Sequence, residues 1–303
     1  MTAAVDEPAP SVREPTLPGA PPAAEPGRES WPALPRRRQR PVRAARLLAI
    51  GVPVSPRVSW TLRALSLAAP LVAWYVLSAT KVVDPTFLPT PAAVWSAGVE
   101  MLRSGDLITD VAASVRRILL GFGLAVAISV PVGFAMGTFR VAQAAFEPVI
   151  GLLRYMPASA FIPLLVIWLG LGEPSKVALL VLGVVFFNTL MTADVVRRVP
   201  RELLDVSYTL GATRWEVLRK VVLPHSLPGM IDAMRVNAAA AWNFVVVAEL
   251  IAATSGLGYR IVRAQRFLQT DRIFAVLIVI GLIGLAIDIL LRLLRDAVGR
   301  WAA

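Results

Sequence analysis

The sequence contains no cysteine and only one histidine among its 303 residues. The absence of cysteine excludes a disulfide framework, a thiol nucleophile and cysteine-ligated zinc or iron–sulfur sites. His225 provides a single imidazole, too few for a histidine-rich metal site, so we interpret it as a loop or interface residue. No carboxylate pair or nucleophile with a neighbouring base stands out either. We therefore expect no catalytic residue, no metal site and no bound cofactor in this chain.

Charge is also scarce in this sequence. Only 17% of the residues are charged and 56% are hydrophobic, and the mean hydropathy of +0.66 is too high for an ordinary soluble domain. Six apolar runs each approach the roughly 17–25 residues that a membrane-spanning helix requires. These runs are residues 64–80, 118–139, 155–172, 177–193, 233–253 and 273–291. The sequence thus predicts an all-α membrane protein with about six transmembrane helices.

The fifth run carries two ionisable residues, Arg235 and Glu249, near its ends. An ionisable group at the centre of a spanning helix costs roughly 2.5–3.5 kcal/mol, and much less where it reaches the interface. We expect both side chains to extend to the membrane surface.

The first 57 residues differ from the rest, since they hold twelve of the 24 prolines and no apolar period. We predict a disordered, basic, proline-rich tail over residues 1–57 and a transmembrane domain over residues 58–303. The arginines at 36–46 could contact anionic headgroups or nucleic acid, but we interpret them as a topology signal. Basic residues near a span stay in the cytoplasm, so both termini are predicted to be cytoplasmic. Because the arginines are explained by topology, we expect no nucleic-acid partner.

The predicted topology violates this rule at one place, between the fifth and sixth runs. Arg260, Arg263, Arg266 and Arg272 would face outward there. Either the number of spans differs from six, or these arginines meet an anionic partner or substrate outside.

The segment 200–228 lies between two apolar runs and reads as two short amphipathic helices. Leu203, Val206 and Leu210 share one face of the first, and Gly211 permits a sharp turn after it. Thr213 and Glu216 fit a capping box that begins the second helix. Pro224 is predicted to end that helix. Such a segment can dock into a groove on a soluble partner or lie on lipid headgroups, and the pattern alone favours neither.

The same segment resembles the cytoplasmic "EAA" loop of the permease subunits of bacterial ABC importers. Asp205, Val206 and Ser207 stand at the E-A-A positions, Gly211 follows six residues after Asp205, and Pro224 follows thirteen after Gly211. Asp replaces Glu and Val replaces the first Ala. In that family the loop forms coupling helices that sit in a cleft of the ATPase subunit. The resemblance implies that role for the loop, with these coupling residues: Asp205, Val206, Ser207, Gly211, Ala212 and Pro224.

Three further stretches are similar to importers of nitrate, sulfonates and taurine: "FLPTPAAVW" (87–95), "RYMPASAFIPLLVIWLGLGEPSKV" (154–177) and "VVAELIAATSGLGYRIVRAQRFLQTDRIF" (246–274). The resemblance implies a type I ABC importer transmembrane domain in the bacterial inner membrane. It also implies a second copy of the permease, two ATPase subunits that bind ATP and Mg, and an extracytoplasmic binding protein that delivers a small solute.

The chain lacks the phosphate-binding pattern G-x-x-x-x-G-K-[ST] that an ATPase requires. The nearest string, "GLGEPSK" at 170–176, has Ser175 in place of the second glycine, and we interpret it as a turn between spans. A secondary transporter driven by an ion gradient would also be helical and lack this loop, and it is the alternative function.

Polar residues within spans are costly unless they face a cavity or a partner helix. They are candidates for the substrate pathway, with hydrogen bonding between helices as the other interpretation of each. The candidates are Tyr155, Ser159, Asn188, Thr192, Asn237, Trp242 and Asn243.

Overall fold

The computed structural model describes residues 54–299, so most of the tail predicted over residues 1–57 lies outside it. Within this range the chain contains helices and no strand. The α-helices are Pro56–Ala79 (α1), Pro91–Arg103 (α2), Asp106–Thr138 (α3), Arg140–Leu153 (α4), Ile162–Leu169 (α5), Glu173–Arg197 (α6), Arg201–Thr209 (α7), Arg214–Val217 (α8), Leu223–Ala252 (α9), Leu257–Arg266 (α10) and Thr270–Val298 (α11). The predicted all-α class is confirmed.

Five helical segments among the described residues are long and apolar enough to cross a membrane. They are α1, α3, α6, α11 and the continuous helix Arg214–Ile251, which contains α8 and α9. The pair formed by α4 and the segment Ala158–Leu169 passes the same test together, but it is bent by 80°. Counting this pair as one broken span gives the six spans that the sequence predicts.

The third predicted span, residues 155–172, is wrong as a single helix. A 3-10 turn at Ala158–Phe161 precedes α5, and α4 ends at Leu153. The break contains Pro157, which has no N–H to donate and disfavours helical geometry in the residue before it. The apolar run therefore divides into a turn and a short helix.

The long helices α3 and α6 approach each other closely through glycine. A Cβ atom at Gly121 would lie 2.7 Å from Leu180 Cβ, and one at Gly133 would lie 2.5 Å from the Thr189 carbonyl oxygen. Small residues at such positions let two membrane helices come together and gain packing contacts. The buried centre around them includes Ile118, Ala125, Leu180, Val184 and Val245, contributed by α3, α6 and α9.

Pro224 does not end the second short helix, contrary to the prediction. A π-helical turn at Leu218–Val222 joins α8 to α9, and Pro224 lies in the first turn of α9. Proline cannot donate the backbone hydrogen bond that an α-helix would require at this position, and one wider turn before it lets the helix continue. The segment and the following span are consequently one helix.

Candidate functional site

The segment between α6 and α9 folds as an elbow of two helices. Gly211 lies between α7 and α8 with φ of +82°, a conformation that favours glycine. The predicted capping box is present, because Thr213 Oγ1 accepts from Glu216 N at 3.4 Å and Glu216 Oε2 accepts from Thr213 N at 3.0 Å. The turn and the start of the second helix are thus confirmed.

One face of this elbow packs against the ends of the spanning helices. Val217 and Val222 are buried with Val196, Val199 and Met230. Leu204 and Ala212 lie against the same cluster. This apolar cluster fixes the elbow to α6 and α9.

The opposite face of the elbow presents large apolar side chains to its surroundings. Leu210 is 82% exposed, Trp215 69% and Val206 59%. Leu203 and Asp205 are exposed as well, and the Ser207 hydroxyl donates to the Leu203 carbonyl. An exposed group of apolar residues rimmed by charge is typical of an interaction surface. The predicted coupling residues therefore divide: Ala212 packs inward, whereas Asp205 and Val206 point outward.

Three of the predicted pathway residues lie in the interior between helices. Asn188 donates to Ser129 Oγ at 2.6 Å, and Asn237 donates to Asn188 Oδ1 at 3.2 Å, which links α3, α6 and α9. Thr192 is fully buried, and its hydroxyl is the one buried side-chain polar atom without a hydrogen bond in residues 54–299. Asn188 and Asn237 thus form hydrogen bonds between helices, which is the second interpretation that the sequence analysis gave for polar residues within spans.

Of the other four, Trp242 is buried and the remaining three are exposed. The Trp242 indole N–H donates to the Ile280 carbonyl at 3.1 Å, and Asn243 is exposed one residue further on. Both line a cleft of about 270 Å³ between α9 and α11. Tyr155 and Ser159 are exposed at the break between α4 and α5.

A network of buried ionic groups lies at the other end of the helices, and the sequence analysis did not find it. Glu249 near the end of α9 is 1% exposed. Its carboxylate accepts from Arg117 Nη1 at 2.7 Å, from the Ser114 hydroxyl and from Gly258 N at 2.8 Å. Glu249 does not extend to the membrane surface, so that prediction is wrong: its charge is compensated within the protein.

Arg117 is the centre of this network. Its Nε and Nη2 donate to the two carboxylate oxygens of Glu173, each at 2.7 Å, and its Nη1 also donates to the Ser255 carbonyl at 2.7 Å. Such a paired contact between arginine and carboxylate fixes orientation as well as charge. Arg117 therefore joins α3 to the beginning of α6 and to the end of α9.

A second arginine continues the network into α10. Arg260 is buried, and its Nε donates to Asp110 Oδ2 at 2.6 Å and its Nη1 to Asp106 Oδ2 at 3.1 Å. Arg272 donates to Glu100 at 3.1 Å. Two of the four arginines predicted to face outward thus form ion pairs within the chain. Arg263 and Arg266 remain exposed and line a cleft of about 370 Å³ with Tyr259.

The loop before α10 approaches this network with its backbone. Gly256 N donates to Asp110 Oδ1, Leu257 N to Ser114 Oγ and Gly258 N to Glu249 Oε2, all within 2.9 Å. Gly256 has φ of +119°, and a Cβ atom there would lie 2.4 Å from Glu249 Cδ. Three successive amides can reach the buried acceptors because Gly256 and Gly258, on either side of Leu257, have no side chain.

One sequence signal could have revealed the network: an acidic residue inside an apolar run requires a cationic partner. Arg117 directly precedes the second predicted run, and Ser255 to Gly258 follow the fifth. Of the string at 170–176, predicted as a turn, residues 170–172 connect α5 to α6, whereas Glu173 to Lys176 form the first turn of α6. Glu173 pairs with Arg117 and with Lys176. Among the described residues no group of acidic, histidine or cysteine side chains could hold a metal ion.

Known proteins share this sequence and this fold. Residues 125–302 match the family described as "Binding-protein-dependent transport system inner membrane component". A probable ABC transporter permease protein of Brucella melitensis is 38% identical over 240 residues, which cover 79% of this chain and 96% of the relative. The taurine transport system permease protein of Escherichia coli is 35% identical over 254 residues, which cover 82% and 92% of the two chains.

Solved structures agree on the fold. A chain of the MetNI methionine ABC transporter in an inward-facing conformation matches with a TM-score of 0.55 at 19% identity, over 61% of this chain and 92% of that one. A chain of an amino acid ABC transporter matches with a TM-score of 0.53 at 14% identity, over 67% and 97%.

The chain therefore belongs to the family of inner-membrane components of binding-protein-dependent transport systems, and it is an ABC transporter permease. Members of this family are integral membrane proteins that work with an ATPase and a substrate-binding protein. Nothing in these similarities supports the alternative of a secondary transporter.

Proposed function

We propose that this chain is the membrane-spanning subunit of an ATP-driven importer for a small solute that carries a sulfonate or similar oxyanion group, of the sulfonate or taurine type. In this proposal a separate ATPase subunit binds ATP and Mg, and its motion reaches the membrane through residues 200–228, here called the coupling segment. The chain itself contributes no cofactor and no catalytic residue.

The observation that carries the proposal is the exposed apolar face of the coupling segment. Leu210 and Trp215 are 82% and 69% exposed, on an elbow whose opposite face packs against α6 and α9. Exposing such side chains to water is unfavourable, by roughly 25 cal/mol per Å² of apolar surface. A cleft on a partner would remove this cost, and amphipathic helices dock into grooves in this way. Asp205, Val206, Ser207, Gly211, Ala212 and Pro224 are the proposed coupling residues.

A second copy of the permease completes the pathway in this proposal, with one ATPase subunit on each copy. The support is the face of α9 that a single chain leaves exposed, which includes Ala239, Asn243 and Leu250. The polar Asn243 is costly if it faces hydrocarbon. It would be satisfied if the same faces of two copies enclosed a path for the solute. Of the predicted pathway residues, we propose Tyr155, Ser159, Thr192, Trp242 and Asn243 for the pathway, and Asn188 and Asn237 for hydrogen bonding between helices.

The proposed orientation places both termini and the coupling segment in the cytoplasm of a bacterial cell. The coupling segment and its approach contain six basic residues, which favour the cytoplasmic side of a membrane. These are Arg197, Arg198, Arg201, Arg214, Arg219 and Lys220. The binding protein would then dock at the opposite end, near α10.

The proposed substrate class rests on two observations. Relatives of this chain include permeases named for taurine and for aliphatic sulfonates. At the end proposed to face the binding protein, Arg263 and Arg266 line a cleft with Tyr259, and a small oxyanion could accept hydrogen bonds from all three. Ligand screening of the binding protein that accompanies this chain would identify the solute.

The coupling role can be tested by purifying the tagged chain from native membranes and measuring how much of a Walker-motif ATPase accompanies it. Leu210→Asp should reduce the recovered ATPase at least ten-fold, because it puts a charge into the proposed contact. Phe87→Asp is the matched control, since Phe87 is 71% exposed at the opposite end of the helices. Equal recovery of the ATPase with both variants would disprove this assignment of the contact.

A further inference from the structure

A cleft of about 450 Å³ lies beside the coupling segment, on the side away from its exposed apolar face. Its walls come from the junction of α3 and α4, the end of α6, the beginning of α7 and the π-helical turn. Five of its eleven lining residues have large apolar side chains: Met136, Val196, Val199, Leu204 and Val222. The cleft therefore has an apolar floor next to the membrane-spanning helices.

The polar part of the lining is basic. Arg140, Arg197 and Arg201 line the cleft, together with Thr138 and with Gln143, whose amide donates to Glu147 at 2.7 Å. Arg197 pairs with Asp194 at 2.6 Å and with Glu147 at 3.7 Å. Arg140 and Arg201 are exposed, and neither side chain forms a hydrogen bond or an ion pair with another residue in the range 54–299. Two guanidinium groups are thus available to an anion that enters the cleft.

The depth of the cleft relative to the membrane follows from the helix ends that surround it. The span α3 ends at Thr138, the helix α4 begins at Arg140 and the span α6 ends at Arg197. A 33-residue helix such as α3 is about 50 Å long, which exceeds the roughly 30 Å of the hydrocarbon core, so its end extends beyond that core. The three arginines therefore lie where a cationic side chain can reach lipid headgroups.

We infer that this cleft binds the headgroup of an anionic phospholipid. The phosphate accepts hydrogen bonds from Arg140 and Arg201, and the planar guanidinium group suits a phosphate better than a lysine would. The apolar floor holds the glycerol and the first part of an acyl chain, which a free phosphate ion lacks. Basic pockets between membrane helices on the cytoplasmic side recognise anionic headgroups in this way.

The bound lipid would contact both the membrane-spanning helices and the coupling segment. Arg201 and Leu204 belong to α7, whereas Met136 and Val196 belong to spans α3 and α6. Lipid binding at the cleft requires only that the chain spans a membrane. Its effect on ATP-driven transport rests on the proposed function, and the two can be tested separately.

The test measures lipid binding to the purified full-length chain by native mass spectrometry, with phosphatidylglycerol and phosphatidylcholine as probes and without an ATPase. Wild-type protein should retain phosphatidylglycerol preferentially. Removing both charges with Arg140→Gln and Arg201→Gln should weaken that binding roughly twenty-five-fold, since each arginine contributes about five-fold near an anionic lipid. Arg140→Lys with Arg201→Lys should restore part of the preference, because charge is kept and the planar contact is lost.

The matched control is Arg214→Gln with Arg219→Gln, which removes the same charge from exposed positions outside the cleft. The control should bind phosphatidylglycerol as wild type does. An equal loss in both double variants would show general surface attraction and overturn the site. Full displacement of the lipid by millimolar inorganic phosphate would overturn the lipid as ligand. A thermal unfolding midpoint unchanged from wild type is expected for every variant, because the four arginines are exposed.

Discussion

The two ends of the helical bundle are stabilised by different interactions. Where α3 begins, Arg117 and Glu249 lie buried with Asp110, Ser114 and Arg260 in a continuous set of ion pairs and hydrogen bonds. Where α3 ends, the coupling segment is attached through apolar contacts to residues such as Val196 and Met230. Directional bonds fix one geometry, whereas apolar contacts are non-directional and tolerate small displacements. The end where α3 begins is therefore held in one geometry, whereas the attachment of the coupling segment tolerates small displacements.

The largest effect should come from breaking the ion-paired end. Glu249→Leu leaves Arg117 buried without one of its two carboxylate partners and leaves Gly258 N without an acceptor. Removing one member of a buried ion pair costs about 3–5 kcal/mol. Chemical unfolding of the purified protein should show a loss of this size. The control is Arg272→Leu, which breaks an exposed pair with Glu100 and should cost about 0–1 kcal/mol. If the two variants lost the same free energy of unfolding, burial of the ion pair would not explain the effect.

The backbone of the same end gives the second prediction. Gly256→Ala forces a side chain into a conformation with φ of +119° that is nearly restricted to glycine. The backbone strain alone should cost about 1–3 kcal/mol in the free energy of unfolding. Gly281→Ala is the control, because α11 is helical there and no atom lies within 4 Å of the added Cβ. Unchanged stability of the Gly256 variant would mean that the loop has room to adjust.

At the coupling segment, Gly211→Val should abolish ATP-driven uptake while the protein still inserts at normal levels. A Cβ atom at Gly211 meets nothing within 4 Å, so the change acts through the φ of +82° alone and alters the angle of the elbow. Gly211→Asn should retain part of the uptake, since asparagine tolerates this conformation better than valine. Normal uptake in the Gly211→Val variant would show that the angle of the elbow does not affect coupling to the ATPase.

Between the two ends, the polar residues of the spans separate into two kinds. Asn188→Ala removes hydrogen bonds between helices and should cost about 1 kcal/mol of stability, with uptake retained. Asn243→Ala should leave stability unchanged and raise the solute concentration needed for half-maximal uptake, because its side chain lines the cleft between α9 and α11. If Asn188→Ala impaired uptake and Asn243→Ala lowered only stability, Asn188 would belong to the pathway and Asn243 to the structural framework.

The smallest effect is expected from the N-terminal tail. Deleting residues 2–50 should leave uptake unchanged, because this region contains none of the residues proposed for coupling or for the pathway. Uptake assays normalised to membrane levels test this prediction. Loss of uptake at normal membrane levels would give the tail a role beyond topology.

Local signals predicted the parts of the fold that depend on neighbouring residues. Charge-free runs predicted the spans, and the spacing of Gly211, Thr213 and Glu216 predicted the elbow and its cap. The ion-paired end was missed because its partners are far apart in the chain: Arg117 and Glu249 are separated by 132 positions. Periodicity within a helix carries no information about such pairs. Pro224 was misread for a similar reason, since a π-helical turn compensates for it and has no simple sequence signature.

The continuity of Arg214–Ile251 has a mechanical consequence. At about 1.5 Å per residue, these 38 residues extend for about 57 Å, from the coupling elbow to the last turn of α9, which contains Glu249. In the proposed function, a displacement at Trp215 would be transmitted along this helix to its other end, where Arg117 holds Glu249 in place. The π-helical turn at Leu218–Val222 lies within the transmitting helix, close to Trp215.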